Sequence, residues 1–254
     1  MISRIYILNT CIDNLTMHET LKIIDDTISN NKRLSHVVVN ASKIVELQED
    51  IELRQSVNSC DLINADGQSV VWASQLLGKS LKERVAGIDL MENLIKVSHE
   101  KGYKIFFLGA KQEIVLDVVS HYSEKYSEQI IAGFRNGYFS KAQEKEVALE
   151  ISNSGAQLLF VAISSPKKEN FMHQYKKELS NVNFTMGVGG SFDVVAGLVK
   201  RAPLWIQKLG LEWLYRLIQE PRRMWKRYLI GNTKFIFIVF KETIRSLNKK
   251  VFNF

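Results

Sequence analysis

Short apolar runs alternate along the chain with longer segments in which apolar residues recur every three or four positions. The runs are RIYIL, HVVVN, CDLIN, KIFFLG, QIIAGF, QLLFVAI and NFTMGVGG. The longer segments include TMHETLKIIDDTISN, IDLMENLIKVSHEKG, KQEIVLDVVSHYSEKY, SKAQEKEVALEISNS and PKKENFMHQYKKEL, which have the period of amphipathic helices. Strands that alternate with helices predict an α/β fold with a mostly parallel sheet and helices on both faces. The runs are nearly continuous because both faces of such a sheet are covered.

Local signals predict several helix ends. Thr16 and Glu19 have the spacing of a capping box. Pro203 and Pro221 stand where a first helical turn would begin, so the tail is expected to form separate helices over about residues 203–219, 221–230 and 233–250. Ligands of such sheets bind at the carboxyl ends of the strands, so functional residues are expected directly after the apolar runs.

The stretch NADG places Asp66 directly after a predicted strand. Asp-Gly is a strong hairpin signal, but the following QSVVWASQLLG does not alternate and fits a helix that ends near Gly78. Two roles remain for Asp66: an N-cap of that helix, which the local sequence favours, or a general base at the mouth of the sheet. A carboxylate engaged in capping is held as the anion and is a poorer base.

Glycines at strand ends suggest phosphate binding. Gly109 lies in FLGA, and Gly187, Gly189 and Gly190 lie in MGVGGSFD. Backbone amides of such loops can hold a diphosphate, but neither stretch matches GxGxxG or a Walker loop, so plain tight turns are the alternative. Arg84 in ERVAGID is a candidate to neutralise phosphate charge, with a solvated surface arginine as the alternative.

The segment SSPKKEN places Lys168 and Glu169 at the functional edge, after the run QLLFVAI. Such a charged run is usually solvated, and a substrate contact is the weaker alternative. No metal site, cofactor or covalent nucleophile is predicted. The five histidines lack ligand spacing, and the sequence contains neither an Asp-x-Asp pair nor a GxSxG elbow.

The length of 254 residues, with 46% hydrophobic side chains, suits one large domain plus an appendage. Cys11 and Cys60 lack CxxC spacing and fit buried thiols of a reducing compartment, which favours the cytoplasm. The N-terminal apolar run is too short for a signal-peptide core. No segment reaches the roughly 20 apolar residues of a spanning helix, so neither export by that route nor a membrane span is expected.

Positive charge is concentrated in the tail. Residues 200–254 contain thirteen Lys and Arg against three Asp and Glu, a net of +10, while the whole chain carries +7. Such asymmetry marks an appendage that meets a polyanion, either nucleic acid or an anionic lipid surface. The predicted last helix has an apolar stripe with cations on another face, which favours lipid. The tail tryptophans have a plainer alternative, which is packing on the main domain.

Ten motifs in order and spacing give the sequence a family resemblance. They are NASKIVE, NADG, ERVAGIDL, FFLGA, GYF, SPKKE, GVGGSFDVVAG, RAPLW, GLEWLYRL and EPRRMWKRY, which cover about residues 37–228. In these motifs the chain resembles the WecG/TagA/CpsF family of bacterial glycosyltransferases. The resemblance implies a Rossmann-like catalytic domain over 1–199 and a helical appendage over 200–254 that docks on the inner face of the cell membrane.

The resemblance also implies an activity and its partners. The activity is a metal-independent, inverting transfer of an N-acetylmannosamine-type sugar from UDP to N-acetylglucosamine on a polyprenyl diphosphate. The partners are a UDP-sugar donor, that lipid-linked acceptor and an anionic membrane surface, but no nucleic acid, and a homo-oligomer is left open. A UDP-sugar or lipid-surface binding module that lost the chemistry is the second hypothesis, and a basic nucleic-acid binder is the third.

Residue roles follow from the matched motifs. Asp66 corresponds to the family's proposed base. The donor side corresponds to Asn40, Arg84, Gly109, Lys168, Glu169, Gly187, Gly189, Gly190 and Asp193. The acceptor or membrane side corresponds to Arg216, Arg222, Arg223, Lys226 and Arg227.

Two positions depart from the family pattern, Val38 in place of Thr and Lys168 in place of Gln. The departures point to a different donor sugar, an acidic one among the alternatives, or to a different acceptor.

Overall fold

A parallel sheet forms the centre of the computed structural model, which describes residues 3–251 apart from the side chains of Arg223, Arg227 and residues 247–251. The strands are β1 (Arg4–Ile7), β2 (Thr10–Asp13), β3 (Leu34–Val39), β4 (Leu62–Ala65), β5 (Ile105–Gly109), β6 (Ile131–Arg135), β7 (Leu158–Ala162) and β8 (Phe184–Gly187). The helices of the first two hundred residues are α1 (Met17–Ser29), α2 (Ala41–Glu49), α3 (Ile51–Asn58), α4 (Gln68–Leu76), α5 (Gly87–Lys101), α6 (Gln112–Lys125), α7 (Glu144–Asn153), α8 (Lys167–Gln174) and α9 (Ser191–Val195). The tail forms α10 (Leu204–Lys208), α11 (Glu212–Gln219), α12 (Pro221–Trp225), a π-helical turn (Lys226–Ile230) and α13 (Gly231–Val251).

The six-stranded sheet has the order β4-β3-β8-β7-β5-β6, and every neighbouring pair is parallel. Six of the seven predicted apolar runs are its strands. Strands β4, β5, β7 and β8 are buried along their whole length, which explains why these runs do not alternate. The predicted α/β fold is confirmed.

The seventh run, RIYIL, does not join this sheet. It forms β1, which pairs antiparallel with β2 in a separate hairpin. The turn residues Leu8 and Asn9 both have positive φ, at 48° and 63°, which suits the tight turn of a two-residue hairpin. The sequence pattern missed β2 because TCID carries no Asn-Gly or Asp-Gly signal ahead of it.

Helices cover both faces of the sheet. On one face α1, α5 and α6 pack on the strands around Phe107 and Phe160. On the other face α2, α3 and α4 pack beside β3 and β4, and α7 and α8 pack beside β5 and β7. From the tail, Phe235 and Val239 of α13 are buried in this second layer against α2. The predicted boundary between residues 199 and 200 stays a prediction.

The predicted starts of α1 and of the helix at Pro221 are confirmed, but the predicted division of the tail is wrong. Helix α12, the π-helical turn and α13 follow one another without a break over 221–251, so 221–230 and 233–250 are not separate helices. Thr16 and Glu19 form both hydrogen bonds of a capping box at α1. The predicted helix over 203–219 is divided at Gly210, which has a φ of +69°. A Cβ on Gly210 would lie 2.8 Å from a ring atom of Trp72, so the chain turns tightly there against α4.

A buried histidine makes stability depend on pH. The Nε2 of His36 donates to Oδ1 of Asn64 at 2.9 Å, and burial lowers the pKa of His36 to about 4. The unfolded chain therefore takes up this proton first as the pH falls below 6.5, which favours unfolding. When the pH falls from 7 to 4.5, the unfolding free energy of wild type should decrease by about 2–3 kcal/mol more than that of His36→Gln does. Urea titrations at both pH values measure it, and parallel losses in the two proteins would contradict it.

Candidate active site

A cleft of about 1460 Å³ opens at the carboxyl edge of the sheet. Its walls come from the segments that follow β3, β4, β7 and β8 and from the tail helices. This is the position expected for ligand binding in an open α/β sheet. Among its lining residues are Val38, Asn40, Asp66, Arg84, Lys168, Gly187, Gly189, Gly190, Asp193, Arg216 and Lys226.

Other predicted site residues lie elsewhere. Gly109 is not among the lining residues; it has a φ of +133°, and a Cβ there would lie 2.5 Å from the backbone of Ala162. Glycine is therefore required for the close approach of β5 and β7. Glu169 lies behind Lys168, and Arg222 is exposed outside the lining. The side chains of Arg223 and Arg227 lie outside the described part of the chain.

Asp66 lines the cleft and does not cap α4. The N-cap of α4 is Gly67, with a φ of 145° and no side-chain capping bond. The capping role that the local sequence favoured is therefore wrong for this helix. The backbone N–H of Asp66 donates to the carbonyl of Val39 at 2.8 Å, which fixes the residue where the edge strand β4 and its neighbour β3 end.

The environment of Asp66 raises the pKa of its carboxyl above the usual range for aspartate. Burial raises the pKa of this carboxyl, and the nearby carboxylates of Glu212 and Asp89 raise it further. The charge of Arg84 and a hydrogen bond from the N–H of Gly87 oppose the rise. A general base works best when its pKa lies close to the working pH, so this shift improves the group as a base.

Arg84 is engaged by the tail. Its Nη2 lies 3.1 Å from Oε2 of Glu212 in α11 and its side chain is largely buried, so it is not a solvated surface arginine. Its predicted role at the donor phosphate stays a prediction. Arg201 binds Asp89 of α5, with Nη2 donating to Oδ2 at 2.7 Å, and its Nε lies 3.7 Å from Glu212. These ion pairs join the tail to residues at the carboxyl edge of the sheet. The sequence did not show these pairs, because Arg84 and Glu212, like Asp89 and Arg201, lie more than a hundred positions apart.

The glycine loop after β8 meets the tail as well. A Cβ on Gly190 would lie 3.1 Å from Nη2 of Arg216 and 3.6 Å from Oδ2 of Asp193. Gly189 has a φ of +55°, which favours glycine at this turn. The loop therefore brings backbone amides and the Arg216 guanidinium together on one wall of the cleft.

Asn40 has a structural task beside its predicted binding role. Its Oδ1 accepts from the backbone N–H of Lys43 at 3.0 Å and caps α2. The cap uses the acceptor and leaves the amide nitrogen as a donor at the cleft wall.

A buried ionic cluster occupies the floor of the cleft. The ammonium groups of Lys43 and Lys168 both contact Oε1 of Glu169, the latter at 2.8 Å. Lys43, Lys168 and Glu169 are 6%, 7% and 1% exposed, so the expectation of a solvated Lys-Lys-Glu run is wrong. Burial, followed by repulsion from Lys43, lowers the pKa of Lys168 to about 8. Burial is the largest single influence on the pKa of Glu169 and raises it. The charges and hydrogen bonds of the two lysines together outweigh burial and lower this pKa to about 2. The sequence offered one signal for Lys43, its place in the first turn of the helix after β3.

Metal ligands do not gather at this cleft within residues 3–251, where no three His, Cys, Asp or Glu side chains form a cluster that could hold an ion. Metal independence remains a prediction.

Comparison with known proteins gives the family. The sequence matches the glycosyl transferase WecG/TagA/CpsF family profile over residues 5–249. It is 40% identical over 197 residues to N-acetylglucosaminyldiphosphoundecaprenol N-acetyl-beta-D-mannosaminyltransferase of Bacillus subtilis (strain 168), covering 77% of this chain and 73% of that protein. It is 35% identical over 202 residues to the protein of the same name from Bacillus spizizenii, covering 80% and 77%. The chain therefore belongs to the WecG/TagA/CpsF family of glycosyl transferases.

Proposed function

We propose that this protein transfers an N-acetylmannosamine-type sugar from UDP to N-acetylglucosamine on a polyprenyl diphosphate, in the synthesis of teichoic acid, capsule or a related bacterial surface polysaccharide. The names of the two relatives support both substrates. The observation that carries the proposal is the Asp66 carboxylate, which lines the same cleft as the glycine loop and has a raised pKa. Capping of α4 does not explain that placement, because the N-cap of that helix is Gly67.

The proposed chemistry is a single displacement. Asp66 takes the proton of the acceptor hydroxyl as that oxygen attacks the anomeric carbon of the donor. The bond from this carbon to the β-phosphate oxygen breaks, and UDP leaves with the electron pair. Attack from the face opposite the leaving group inverts the configuration. The leaving charge would be met by the loop amides of Gly189 and Gly190 and by Arg216, without a metal ion.

A donor and acceptor screen tests the proposal. UDP release is measured with several UDP-hexosamines, with and without N-acetylglucosaminyl polyprenyl diphosphate. Acceptor-dependent release from a UDP-N-acetylmannosamine-type donor is expected. Tight UDP binding with no turnover for any pair would instead support the binding-module hypothesis.

We also propose that the tail docks on the inner face of the cell membrane. Large apolar side chains of the tail are exposed, and Lys and Arg residues lie close to them in the sequence. This combination suits the headgroup layer of an anionic membrane. Trp205 is 63% exposed, Ile236 and Phe237 are each 67% exposed, and Phe240 is 63% exposed. Within the described range, every helix is too short or too polar to cross a bilayer.

Point variants test the docking better than truncation, because α13 also supplies Phe235 and Val239 to the core. Ile236→Ser/Phe240→Ser should weaken co-sedimentation with anionic liposomes by at least about tenfold, since each buried side chain of this size contributes about 1.5–3 kcal/mol. Leu116→Ser, at a 44% exposed position on α6, is the matched control and should bind as wild type does. Undiminished sedimentation of the double variant would reject this face. Salt-sensitive DNA binding that survives the double variant would favour the nucleic-acid hypothesis.

A further inference from the structure

A chain of alternating charges links the tail to the surroundings of Asp66. The Nη2 of Arg84 lies 3.1 Å from Oε2 of Glu212 in α11, and the other oxygen of that carboxylate, Oε1, lies 3.7 Å from Nε of Arg201. Arg201 in turn donates from Nη2 to Oδ2 of Asp89 at 2.7 Å. Glu212 therefore lies between two arginines and directs one carboxylate oxygen at each of them.

These charged groups act on Asp66 without forming an ion pair with it. Besides burial, the charges of Arg84, Glu212 and Asp89 influence the pKa of Asp66. Arg201 is also close enough for its charge to interact with that of Asp66. Within the part of the chain that the structure describes, neither an ion pair nor a hydrogen bond joins the side chains of Arg84 and Asp66. Arg84 is thus near Asp66, but its partner is Glu212.

The choice of partner matters because an arginine weakens a neighbouring carboxylate as a base. An opposite charge within about 4–6 Å lowers the pKa of an aspartate by about 1–3 units. A direct pair between Arg84 and Asp66 would therefore hold Asp66 as an anion that takes up a proton poorly. Glu212 opposes this effect, since its negative charge offsets the guanidinium and gives Nη2 another acceptor.

Arg201 holds a fixed positive charge next to Glu212. Both terminal nitrogens of Arg201 donate to the carboxylate of Asp89, in the first turn of α5. Its Nε is buried and has no hydrogen-bond partner among the described residues, and Glu212 is the carboxylate at that edge of the guanidinium. The same turn of α5 supplies the N–H of Gly87 that donates to Asp66. The support of Glu212 and the position of Asp66 therefore depend on one helical turn.

We infer that Glu212 is a positioning residue for the base: it pairs with Arg84, with support from Arg201, and so keeps the Arg84 guanidinium from pairing with Asp66. This inference rests on the proposed function, in which Asp66 takes the proton of the acceptor hydroxyl. Glu212 acts through Arg84 and takes no proton from the acceptor itself. Because Glu212 belongs to α11, the strength of the base depends on a residue of the tail.

The test titrates the Asp66 carboxyl directly in the full chain, without substrates. Carbon-13 NMR of protein labelled at the aspartate carboxyl carbons gives the pKa, and the resonance is assigned by its loss in Asp66→Asn. Glu212→Gln should lower the pKa of Asp66 by about 1–3 units, the range for a carboxylate that gains an arginine neighbour. Glu212→Asp keeps the charge and should lower it by less. Glu242→Gln is the control, because it removes an equal charge from α13 outside the lining of the cleft, and should leave this pKa as in wild type.

Kinetics show whether the pairing matters for transfer. In Glu212→Gln the acidic limb of kcat/KM should move to lower pH together with the pKa of Asp66. Its kcat should fall, but by less than the about 10² to 10⁴-fold expected for loss of the base itself. In an Arg84→Gln background, Glu212→Gln should shift the pKa of Asp66 much less, because no guanidinium remains to be released.

Three results would overturn the inference. An unchanged pKa of Asp66 in Glu212→Gln, with kcat/KM lowered equally at every pH, would show that Glu212 only anchors the tail. An equal shift with and without Arg84 would show that Glu212 does not act through this arginine. A loss of kcat in Glu212→Gln as large as in Asp66→Asn would make Glu212 a base in its own right. If no donor and acceptor pair supports transfer, the proposed function fails, and the NMR titration still decides whether Glu212 keeps Arg84 from Asp66.

Discussion

Replacing Asp66 with Asn should lower turnover by about 10² to 10⁴-fold while leaving the Kd for UDP within about twofold. The amide keeps the size of the side chain but cannot take the proton of the acceptor hydroxyl. The N-cap of α4 is Gly67, and the amide oxygen of Asn can still accept from the N–H of Gly87 at the start of α5. Single-turnover rates with saturating donor and acceptor measure the chemical step directly.

The pH profile gives a second measure of the same role. Because the base must be ionised, kcat/KM should rise with pH through the raised pKa of Asp66, and this acidic limb should vanish in Asp66→Asn. Asp61→Asn is the control, since Asp61 stands just before the amino end of the same strand and binds Ser35. Turnover of Asp66→Asn near that of wild type would show that another group accepts the proton.

The sheet was predictable because its signal is local. Each core strand is a short, nearly continuous apolar run, and burial on both faces produces that pattern in any parallel sheet. The hairpin of β1 and β2 was not predictable in this way, because its turn uses Leu8 and Asn9 at positive φ. The division of the tail at Gly210 depends on the ring of Trp72, which is distant in the sequence.

The candidate site was predictable residue by residue, but not in its pairings. The rule that function follows the strand ends brings Asp66, Asn40 and Lys168 to one cleft. The partners that set their charge are remote: Lys43 and Glu169 are 126 positions apart. No spacing in a single sequence shows such a pair. A net charge for the tail also hides the single acidic residue Glu212, which pairs with Arg84.

Replacing Glu169 with Gln should destabilise the fold by about 3–5 kcal/mol, the range for a buried charge that loses its partner. The variant leaves two ammonium groups facing each other with no carboxylate between them. Lys168→Met should cost about 1 kcal/mol or less, because it leaves the pair of Lys43 and Glu169 intact and balanced. Urea unfolding at pH 7 measures both values. Glu144→Gln is the control, since Glu144 is buried but is paired with a lysine that is 71% exposed, and should cost about 1 kcal/mol.

The double variant Lys168→Met/Glu169→Gln shows whether excess charge is the cause. Removing one cation from the Glu169→Gln background should restore about 1–3 kcal/mol, so the two substitutions would be strongly non-additive. The single Glu169→Gln variant should also gain stability as the pH rises from 7 to 9. Its crowded lysines release protons more readily when folded than when unfolded, so the unfolded state binds more protons in that range. Additive losses and a flat pH response would mean that the lysines are solvated and that excess charge does not destabilise Glu169→Gln.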